Sequence, residues 1–383
     1  MTDVIVVGAG VVGTAAAYRL ARAGARVTLV DRWAPGRGTS STSFAWVNSN
    51  DKPPRAYHRL NADGMAAHRR LRDDVRGDAR QDARQEGGHG AASWLHEGGG
   101  LEWTDTAAGR ERLQAKADRL RAWDYRVEVL DAPQVHALEP HLRLDGLTAA
   151  TYCPDEAWVD GPAFAAGVAA AAAARGAVVR TGAEVVGLAR SGDQVIGVRL
   201  ASGERVTAAW VVVAAGRWTD RLAALTGIAV PLAPTCGLLA VTSPVGQGVS
   251  RVVHAPGMHF RPEPAGGLVL QSGATDATVT PETAPDPGLP GCAALLRQLE
   301  RFLLEAAGAR VVEARVGIRP MPADGFPIVG PVAARPGLYL AVTHSGVTLA
   351  PLLGEVIAHE LTTGQDDARL APFRPARCVR VSA

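Results

Sequence analysis

The run Val4-Ile-Val-Val-Gly-Ala-Gly-Val-Val-Gly13 leads from a β-branched apolar strand, through a glycine-rich turn, into an alanine-rich helix. A second apolar strand, Val27-Thr-Leu-Val-Asp31, follows that helix and ends on an acidic residue. A strand, a Gly-x-Gly-x-x-Gly turn, a helix, a strand and an acid in this order form the fingerprint of a dinucleotide-binding βαβ unit. The sequence therefore predicts a nucleotide site in its N-terminal part.

Each glycine of the turn has its own role in binding a dinucleotide. Gly8 permits the tight turn, Gly10 lets the backbone approach a pyrophosphate, and Gly13 lets the helix lie close to the strand. The free N–H groups at the start of the helix then face the phosphates. Asp31 can accept hydrogen bonds from a ribose diol, and its charge would repel a 2′-phosphate. These features alone do not distinguish NAD from FAD.

Composition and length indicate a globular protein with more than one domain. The chain has 383 residues, of which 47% are apolar and 20% are charged. Its net charge of +2 comes without a basic stripe interleaved with aromatic residues, which argues against nucleic acid as a partner. The four cysteines have neither a CxxC pair nor metal-ligand spacing, so we expect free thiols and no metal site. No apolar run reaches the length of a membrane span, and the expected location is the cytoplasm.

Local patterns predict several elements between the nucleotide motifs. Apolar spacing favours a helix at about 55–75, and the polar, low-complexity stretch 77–90 is expected to be a solvated surface excursion. The glycines near the middle of 94–103 predict a hairpin. Asp160, followed by a proline in the first turn, predicts a helix start. Short β-runs alternate with turns at 231–272 and predict an antiparallel sheet.

Five separated motifs point to one kind of protein. They are the glycine turn with Asp31, Gly38-Thr-Ser-Ser-Thr-Ser43, Val211-Val-Val-Ala-Ala-Gly-Arg-Trp218, Gly317-Ile-Arg-Pro-Met-Pro-Ala-Asp-Gly-Phe-Pro-Ile-Val-Gly330 and His344-Ser-Gly346. In this order they resemble the motifs of the FAD-dependent amine and amino-acid oxidoreductases, the superfamily of D-amino-acid oxidase, glycine oxidase and monomeric sarcosine oxidase. The resemblance covers nearly the whole chain and implies that the nucleotide is FAD.

The resemblance also implies the architecture. We expect an α/β protein with a discontinuous Rossmann-like FAD-binding domain and a smaller substrate domain that has an antiparallel sheet and helices. The expected FAD-binding domain comprises 1–56, 150–228 and 312–383. The expected substrate domain, or cap, comprises 57–149 and 229–311.

The residues expected to contact FAD lie in the five motifs and in one strand whose backbone is expected to meet the adenine. They are Gly8, Gly10, Val11, Val12, Gly13, Asp31, Arg32, Thr39, Ser40, Ser41, Thr42, Ser43, Val185, Ala215, Gly216, Trp218, Arg319, His344, Ser345, Gly346, Val347 and Thr348. For the serine loop at 40–43, a solvated turn is an equal alternative. Covalent members of the superfamily carry a cysteine before the Gly-x-Arg-Pro segment. This chain has none at 315–319, so we expect noncovalent FAD.

Four residues are expected to carry the chemistry. In glycine oxidase and its relatives an arginine in the setting of Arg319 clamps the substrate carboxylate, and the alternative is a structural salt bridge. His344, at a helix start that is expected to face the flavin, is either part of the site or a turn residue. Lys52, in a chain whose only other lysine is Lys116, lies in a segment expected to pass near the flavin. His259 lies in the sheet expected to cover the flavin, where a structural role is the alternative.

The expected reaction is the oxidation of the C–N bond of an amino acid or related carboxylate-bearing amine to an imine, which water hydrolyses. The expected electron acceptor is O2. Sarcosine oxidases have a lysine near the flavin where this chain has 267–271 without one, so a dehydrogenase that reduces a carrier or quinone is an alternative. A 2-hydroxy-acid dehydrogenase and a non-catalytic flavin subunit are further alternatives.

Overall fold

The computed structural model describes residues 2–83, 94–246 and 248–381. The helices in these residues are α1 (Val11–Arg22), α2 (Arg55–Ala83), α3 (Ala107–Ala122), α4 (Ala132–Leu138), α5 (Gly161–Ala174), α6 (Thr219–Ala224), α7 (Gly273–Asp276), α8 (Pro290–Phe302) and α9 (Gly346–Thr363). The strands are β1 (Asp3–Val7), β2 (Arg26–Val30), β3 (Trp46–Val47), β4 (Leu95–Glu97), β5 (Gly100–Thr104), β6 (Glu128–Leu130), β7 (Ala149–Cys153), β8 (Ala157–Val159), β9 (Val178–Arg180), β10 (Val185–Ser191), β11 (Gln194–Leu200), β12 (Arg205–Thr207), β13 (Trp210–Val213), β14 (Ile228–Ala229), β15 (Thr235–Thr242), β16 (Val252–Ala255), β17 (Met258–Pro262), β18 (Leu268–Gln271), β19 (Val311–Arg319), β20 (Ile328–Pro331), β21 (Leu338–Val342) and β22 (Arg380–Val381).

A six-stranded sheet in the described residues forms the nucleotide-binding layer. Its strand order is β20-β21-β13-β1-β2-β9, and every neighbouring pair is parallel except β20 with β21. Val4 and Val6 point into a core shared with α1, α5 and α9, whereas Ile5 and Val7 point into the core on the opposite face. Burial on both faces explains why β1 reads as a continuous apolar run.

The glycines of the first turn allow close backbone packing. Gly8 has a φ of +106°, which L side chains rarely adopt, and a Cβ there would also overlap the carbonyl of Ala214 at the end of β13. A Cβ on Gly13 would overlap the carbonyl oxygen of Gly8. Helix α1 therefore begins in direct contact with the end of β1.

An eight-stranded sheet forms the second layer among the described residues. Its order is β19-β15-β18-β17-β16-β5-β7-β6, and only β16 and β5 pair in parallel. Residues of α8 such as Leu295 and Leu299 pack with this sheet in a second core. The antiparallel sheet expected at 231–272 is confirmed, as is the α/β class with a second sheet.

The division into two domains stays a prediction. Two strands that the expected boundaries place almost entirely in the nucleotide domain, β7 and β19, are hydrogen-bonded into the eight-stranded sheet. Both strands connect the two layers along the chain. None of the helices in the described residues combines the length and the apolar character that crossing a membrane requires.

Three local expectations can be compared with the structure. Helix α2 continues to Ala83, so 77–83 is not the expected excursion. Within it, Asp78 accepts a hydrogen bond from Tyr18 Oη at 2.7 Å. The rest of that stretch, 84–90, lies outside the described residues.

The predicted hairpin at 94–103 is wrong, because β4 pairs with β8 whereas β5 pairs with β7 and β16. Asp160 caps α5 as expected, accepting from the Ala163 N–H at 3.0 Å.

Two glycines in helices provide a matched test of the close contact at the first turn. We expect Gly13→Ala to destabilise the protein by about 3 kcal/mol, because the new methyl group overlaps backbone that cannot move aside. We expect Gly77→Ala, which enters open space on α2, to stabilise the protein by about 0.5–1 kcal/mol. Urea unfolding of both variants and the unsubstituted protein measures the two effects. Equal stabilities of the two variants would contradict this account of the contact.

Candidate active site

A cavity of about 370 Å³ opens where the carboxyl ends of four parallel strands meet. Its lining includes the last residues of three strands, Val7 of β1, Val30 of β2 and Val342 of β21. It also includes Ala214, which follows β13. Ligands of open parallel sheets bind at this edge, because the helix N-termini and the loops between strands and helices gather there. The cavity is therefore the candidate cofactor site.

The start of α1 supplies N–H groups to the cavity. Gly10 is the N-cap residue and has no side chain to cap the helix. The Val11 N–H donates to Ser40 Oγ at 3.2 Å, and Gly10, Val11 and Ser40 all line the cavity. An uncapped first turn beside a hydroxyl is suited to bind a phosphate.

The other wall of the cavity combines an acid, an arginine and two indoles. Asp31 accepts from the Ala9 N–H at 2.7 Å and from the Trp33 N–H at 2.8 Å, which fix its carboxylate at the cavity. The guanidinium of Arg32 lies 4.0 Å from the Trp33 ring and 4.4 Å from the Trp218 ring. A fixed carboxylate can accept from a ribose diol, and the aromatic surface suits a nucleoside.

Most of the expected FAD residues line this cavity. They are Gly8, Gly10, Val11, Val12, Asp31, Arg32, Thr39, Ser40, Ser43, Val185, Ala215, Gly216, Trp218, His344, Gly346 and Val347. The remaining expected residues lie outside its lining and are Gly13, Ser41, Thr42, Arg319, Ser345 and Thr348. Sequence analysis missed lining residues that flank the motifs: Trp33, Glu184, Arg221, Pro320 and Thr343. Their adjacency to the motifs was the signal that could have found them.

Two hydrogen bonds fix the guanidinium of Arg319, at the end of β19. Its Nη1 donates to the Cys236 carbonyl at 2.9 Å, and its Nη2 donates to Asp276 Oδ2 at 2.7 Å. A Cβ on Gly237 would overlap the guanidinium, so the arginine lies flat over a glycine. The side chain is 31% exposed, and its remaining N–H donors are open to a ligand. The structural salt bridge considered as the alternative is therefore present, between Arg319 and Asp276. It leaves N–H donors of Arg319 that could also bind a substrate carboxylate.

Lys52 and His344 meet at the start of α9. The Lys52 ammonium donates to Ser345 Oγ at 2.9 Å, and Tyr57 Oη lies 2.7 Å from the same oxygen. Burial lowers the pKa of Lys52 to about 8, although the charge of Glu156 opposes the shift. Burial also lowers the pKa of His344 to about 4, and the nearby charges of Lys52 and Arg319 act in the same direction. At neutral pH, His344 is therefore a neutral imidazole at the edge of the cavity.

His259 lies on β17, opposite the strand whose Gln271 binds Asp276, the carboxylate that holds Arg319. It pairs with Gln271 on the next strand, and Gln271 Nε2 donates to Asp276 Oδ2 at 2.7 Å. His259 Nδ1 lies 2.7 Å from His254 Nδ1, so one imidazole donates and the other accepts. Burial keeps the pKa of both histidines below the ordinary value. No group of three or more potential metal ligands occurs among the described residues.

Fold and cavity together define a protein that binds a long dinucleotide at the edge of a parallel sheet. The sequence profile of the family described as "FAD dependent oxidoreductase" matches residues 3–360. A glycine oxidase of Pseudomonas aeruginosa is 30% identical over 97% of this chain and 98% of its own length. A D-amino acid dehydrogenase of Methylobacterium nodulans is 30% identical over 94% of this chain and 95% of its own length.

A solved structure agrees with these sequence relatives. The crystal structure of glycine oxidase from Geobacillus kaustophilus superposes with a TM-score of 0.83 at 25% identity, covering 98% of each chain. The protein belongs to the FAD-dependent oxidoreductase family. The expected cofactor, FAD, and the expected class, an FAD-dependent oxidoreductase, are confirmed. The uncapped turn of α1, the fixed Asp31 carboxylate and the continuous cavity fit this cofactor.

Adjacent serines test the phosphate end of the cavity. We expect Ser40→Ala to weaken FAD binding about five-fold, since it removes about 1 kcal/mol of hydrogen bonding beside the first turn of α1. Ser41 lies outside the cavity lining, and its hydroxyl donates to the Gly38 carbonyl at 2.9 Å, so Ser41→Ala should bind FAD normally. Quenching of flavin fluorescence by the apoprotein measures both affinities. Unchanged FAD affinity in Ser40→Ala would favour the solvated-turn alternative.

Proposed function

We propose that this protein oxidises the C–N bond of an amino acid or related carboxylate-bearing amine to an imine, which water then hydrolyses. The observation that carries the proposal is Arg319, a guanidinium fixed by Asp276 with open donors beside the FAD cavity. The glycine oxidase and D-amino acid dehydrogenase relatives support the same substrate class. FAD, when bound, takes the pair of electrons that the substrate loses.

We propose that the glycine turn, Ser40 and Asp31 hold the nucleotide half of FAD, and that the turn at 344–347 contacts its reactive half. All of these residues line one cavity. None of the cysteines in the described residues lines it, which supports noncovalent FAD. Cys153, Cys236, Cys292 and Cys378 are free thiols, which supports a reducing location such as the cytoplasm.

Arg319 is proposed to bind the substrate carboxylate through paired N–H donors. The planar fork fixes both the position and the rotation of a carboxylate, and so it orients the α-carbon. Asp276 keeps the guanidinium in place before substrate arrives. Orientation of this kind lowers the barrier because the entropy of alignment is already lost on binding.

The charges near the cavity favour a neutral substrate amine. Arg319 and Lys52 both act electrostatically on the intervening His344, which is itself uncharged at neutral pH. A bound ammonium in these surroundings would have a lowered pKa, because like charges disfavour its charged form. A lowered pKa favours the neutral amine, whose proton passes to water, so no dedicated base is required.

Lys52 is proposed to favour electron transfer to O2. The first electron that O2 accepts creates a negative charge, and a partly buried ammonium beside Ser345 stabilises that charge. This lysine comes from the segment after β3, which explains how O2 reduction can proceed without a lysine at 267–271. Reduction of a carrier or quinone is the second candidate, which the dehydrogenase relative supports.

Replacing Arg319 tests the clamp. We expect Arg319→Ala to lower kcat/KM for amino acids by about 100-fold, because about 3 kcal/mol of charge-assisted hydrogen bonding is lost. Anaerobic flavin bleaching by D-, L- and N-alkyl amino acids, matched amines without a carboxylate and 2-hydroxy acids gives the rates. Arg315→Ala on the same strand, where Arg315 binds Glu313, is the matched control and should keep the wild-type rate. A wild-type protein that only 2-hydroxy acids bleach would contradict the proposed substrate class.

The pH dependence of reoxidation tests Lys52. Its pKa is lowered to about 8, so the ammonium is charged below that pH and neutral above it. We therefore expect the rate at which O2 reoxidises the reduced protein to fall as the pH rises through about 8. Lys52→Met should react slowly at all these pH values, and Lys52→Arg should keep the rate and lose the fall. Stopped-flow absorbance gives the rates, with a quinone or dye as the comparison acceptor.

Unchanged reoxidation of Lys52→Met by O2 would show that this lysine is not the oxygen-activating charge. A wild-type protein that reduces the dye quickly but is not reoxidised by O2 would instead establish the dehydrogenase alternative. Substrate is absent from the reoxidation step, so the substrate amine does not contribute to this pH dependence.

A further inference from the structure

The segment 45–52 joins the phosphate loop to helix α2 and is conformationally unusual. Ala45 has a φ of 57° and Asp51 a φ of 51°, so residues with side chains adopt the left-handed conformation near both of its ends. Such conformations cost free energy and persist only where surrounding contacts enforce them. Between them, Asn48, Ser49 and Asn50 are all buried. The contacts that hold this segment therefore need an explanation.

On one side, a single buried carboxylate holds the segment. Trp46 Nε1 donates to Glu156 Oε2 at 2.9 Å, and Tyr125 Oη donates to Glu156 Oε1 at 2.7 Å. The Ser49 N–H in turn donates to Tyr125 Oη at 3.2 Å. Glu156 is 0% exposed, and a Cβ on Gly100 would overlap its Oε2, so a glycine makes room for this carboxylate.

On the other side, the first turn of α9 holds the same segment. Thr348 Oγ1 donates to the Trp46 carbonyl at 3.3 Å and accepts from the Asn48 N–H at 3.3 Å. Lys52 donates to Ser345 Oγ, as described above. The segment thus lies between Glu156 and the helix that borders the FAD cavity.

Lys52 does not contact Glu156, but the two side chains interact through space as opposite charges. Among the described residues, no carboxylate oxygen lies within 4.0 Å of the Lys52 ammonium. The longer-range charge of Glu156 raises the pKa of Lys52 against the effect of burial. Burial raises the pKa of Glu156 itself to about 7, and the hydrogen bonds from Tyr125 and Trp46 favour its charged form.

The other charged groups near this pair have partners of their own. Lys116 binds Glu102, and both also act on Glu156, in opposite directions. Asp51, next to Lys52 in the chain, binds Arg119 at the surface. His344, in the turn before α9, and Tyr57, on α2, also lie near Lys52, and at neutral pH both are uncharged.

We propose that Glu156 is a positioning residue of the active site, which fixes Trp46 and Ser49 from the buried side and supplies the negative charge that Lys52 faces. A carboxylate that only filled space would be replaced by an apolar side chain at no cost, because burying a charge is expensive. Glu156 binds Trp46 directly and reaches Ser49 through Tyr125, and these two links to one segment indicate a specific role. This proposal rests on the proposed function, in which Lys52 is catalytic, and assigns that lysine its electrostatic partner.

The scarcity of lysine permits a direct test. Lysine occurs only at 52 and 116, so holoenzyme labelled with ¹³C at the lysine ε-carbons gives two side-chain signals, which Lys116→Arg assigns. We expect the Lys52 signal of the wild-type protein to titrate near pH 8. In Glu156→Gln its midpoint should move to lower pH, because the neutral amide no longer favours the ammonium.

Glu102→Gln is the matched control. It removes the carboxylate that binds Lys116, which is not among the charges that act on Lys52, so it should leave the Lys52 titration near its wild-type midpoint. Glu156→Asp keeps the charge and shortens the reach to Trp46 and Tyr125. It should keep the Lys52 midpoint closer to wild type than Glu156→Gln does.

Tyr125→Phe keeps the test open if Glu156→Gln does not fold. Loss of the phenol removes a hydrogen bond that lowers the pKa of Glu156, so fewer carboxylates are charged and the Lys52 midpoint moves down by a smaller amount. An unchanged Lys52 midpoint in both variants would overturn the proposal.

A second readout links the position of Glu156 to the reaction. In Glu156→Gln the fall of the reoxidation rate with pH should move to lower pH together with the lysine signal, so the reoxidation rate at pH 8 should drop about 10-fold. A rate that falls without any move of its pH dependence would show a merely structural role and overturn the proposal. If Lys52→Met reacts normally with O2 while the lysine signal still moves in Glu156→Gln, the positioning contact is supported and the function proposed for Lys52 is wrong.

Discussion

The missing side chains of Gly8 and Gly13 let helix α1 begin against the end of β1, and the cofactor cavity depends on that contact. A Cβ at either position would overlap backbone carbonyls, those of Ala214 and Gly8 respectively. Moving the helix outward to relieve the overlap would carry its first-turn N–H groups away from Ser40 and the cavity. The same movement would disturb α9, which packs on α1 so closely that a Cβ on Gly354 would contact the Ala15 carbonyl at 2.6 Å. One backbone contact thus sets the position of the two helix N-termini that border the site.

Each of the two cations near the start of α9 interacts with a carboxylate from a distant part of the chain. Asp276, from the eight-stranded sheet's layer, holds Arg319, and Glu156, from the turn before β8, faces Lys52. Each cation thereby keeps a defined place without a bound ligand, and reorganisation on substrate binding is small. His344 stays neutral between them because it is buried and because both neighbours are positive.

The parts of this arrangement that follow from local chemistry could be predicted from the sequence. The glycine turn and Asp31 interact within one βαβ unit, so their contacts are short-range. Asp160 caps α5 by accepting from the N–H of Ala163, three residues later. Arg319 and Lys52 could be selected by motif and by rarity, but their partners could not. Asp276 lies 43 positions from Arg319, and Glu156 lies 104 positions from Lys52. Only the tertiary fold brings these residues near one another. The hairpin prediction failed for the same reason, because β4 and β5 each have stronger partners far along the chain.

Placing the two carboxylates behind the cations also affects how substrate binds. If Asp276 occupied the open face of Arg319, a substrate carboxylate would first have to displace it, and the exchange of one anion for another would give little net affinity. Instead, Asp276 and the Cys236 carbonyl each accept one hydrogen bond from the guanidinium, which packs against Gly237. The other N–H donors of Arg319 remain free. In the proposed clamp, a substrate carboxylate would add to the ion pair and displace only water. Under the proposed function, Arg319 would hold the substrate carboxylate while the positive charge of Lys52 would still disfavour an ammonium, so the substrate amine would bind in its neutral form.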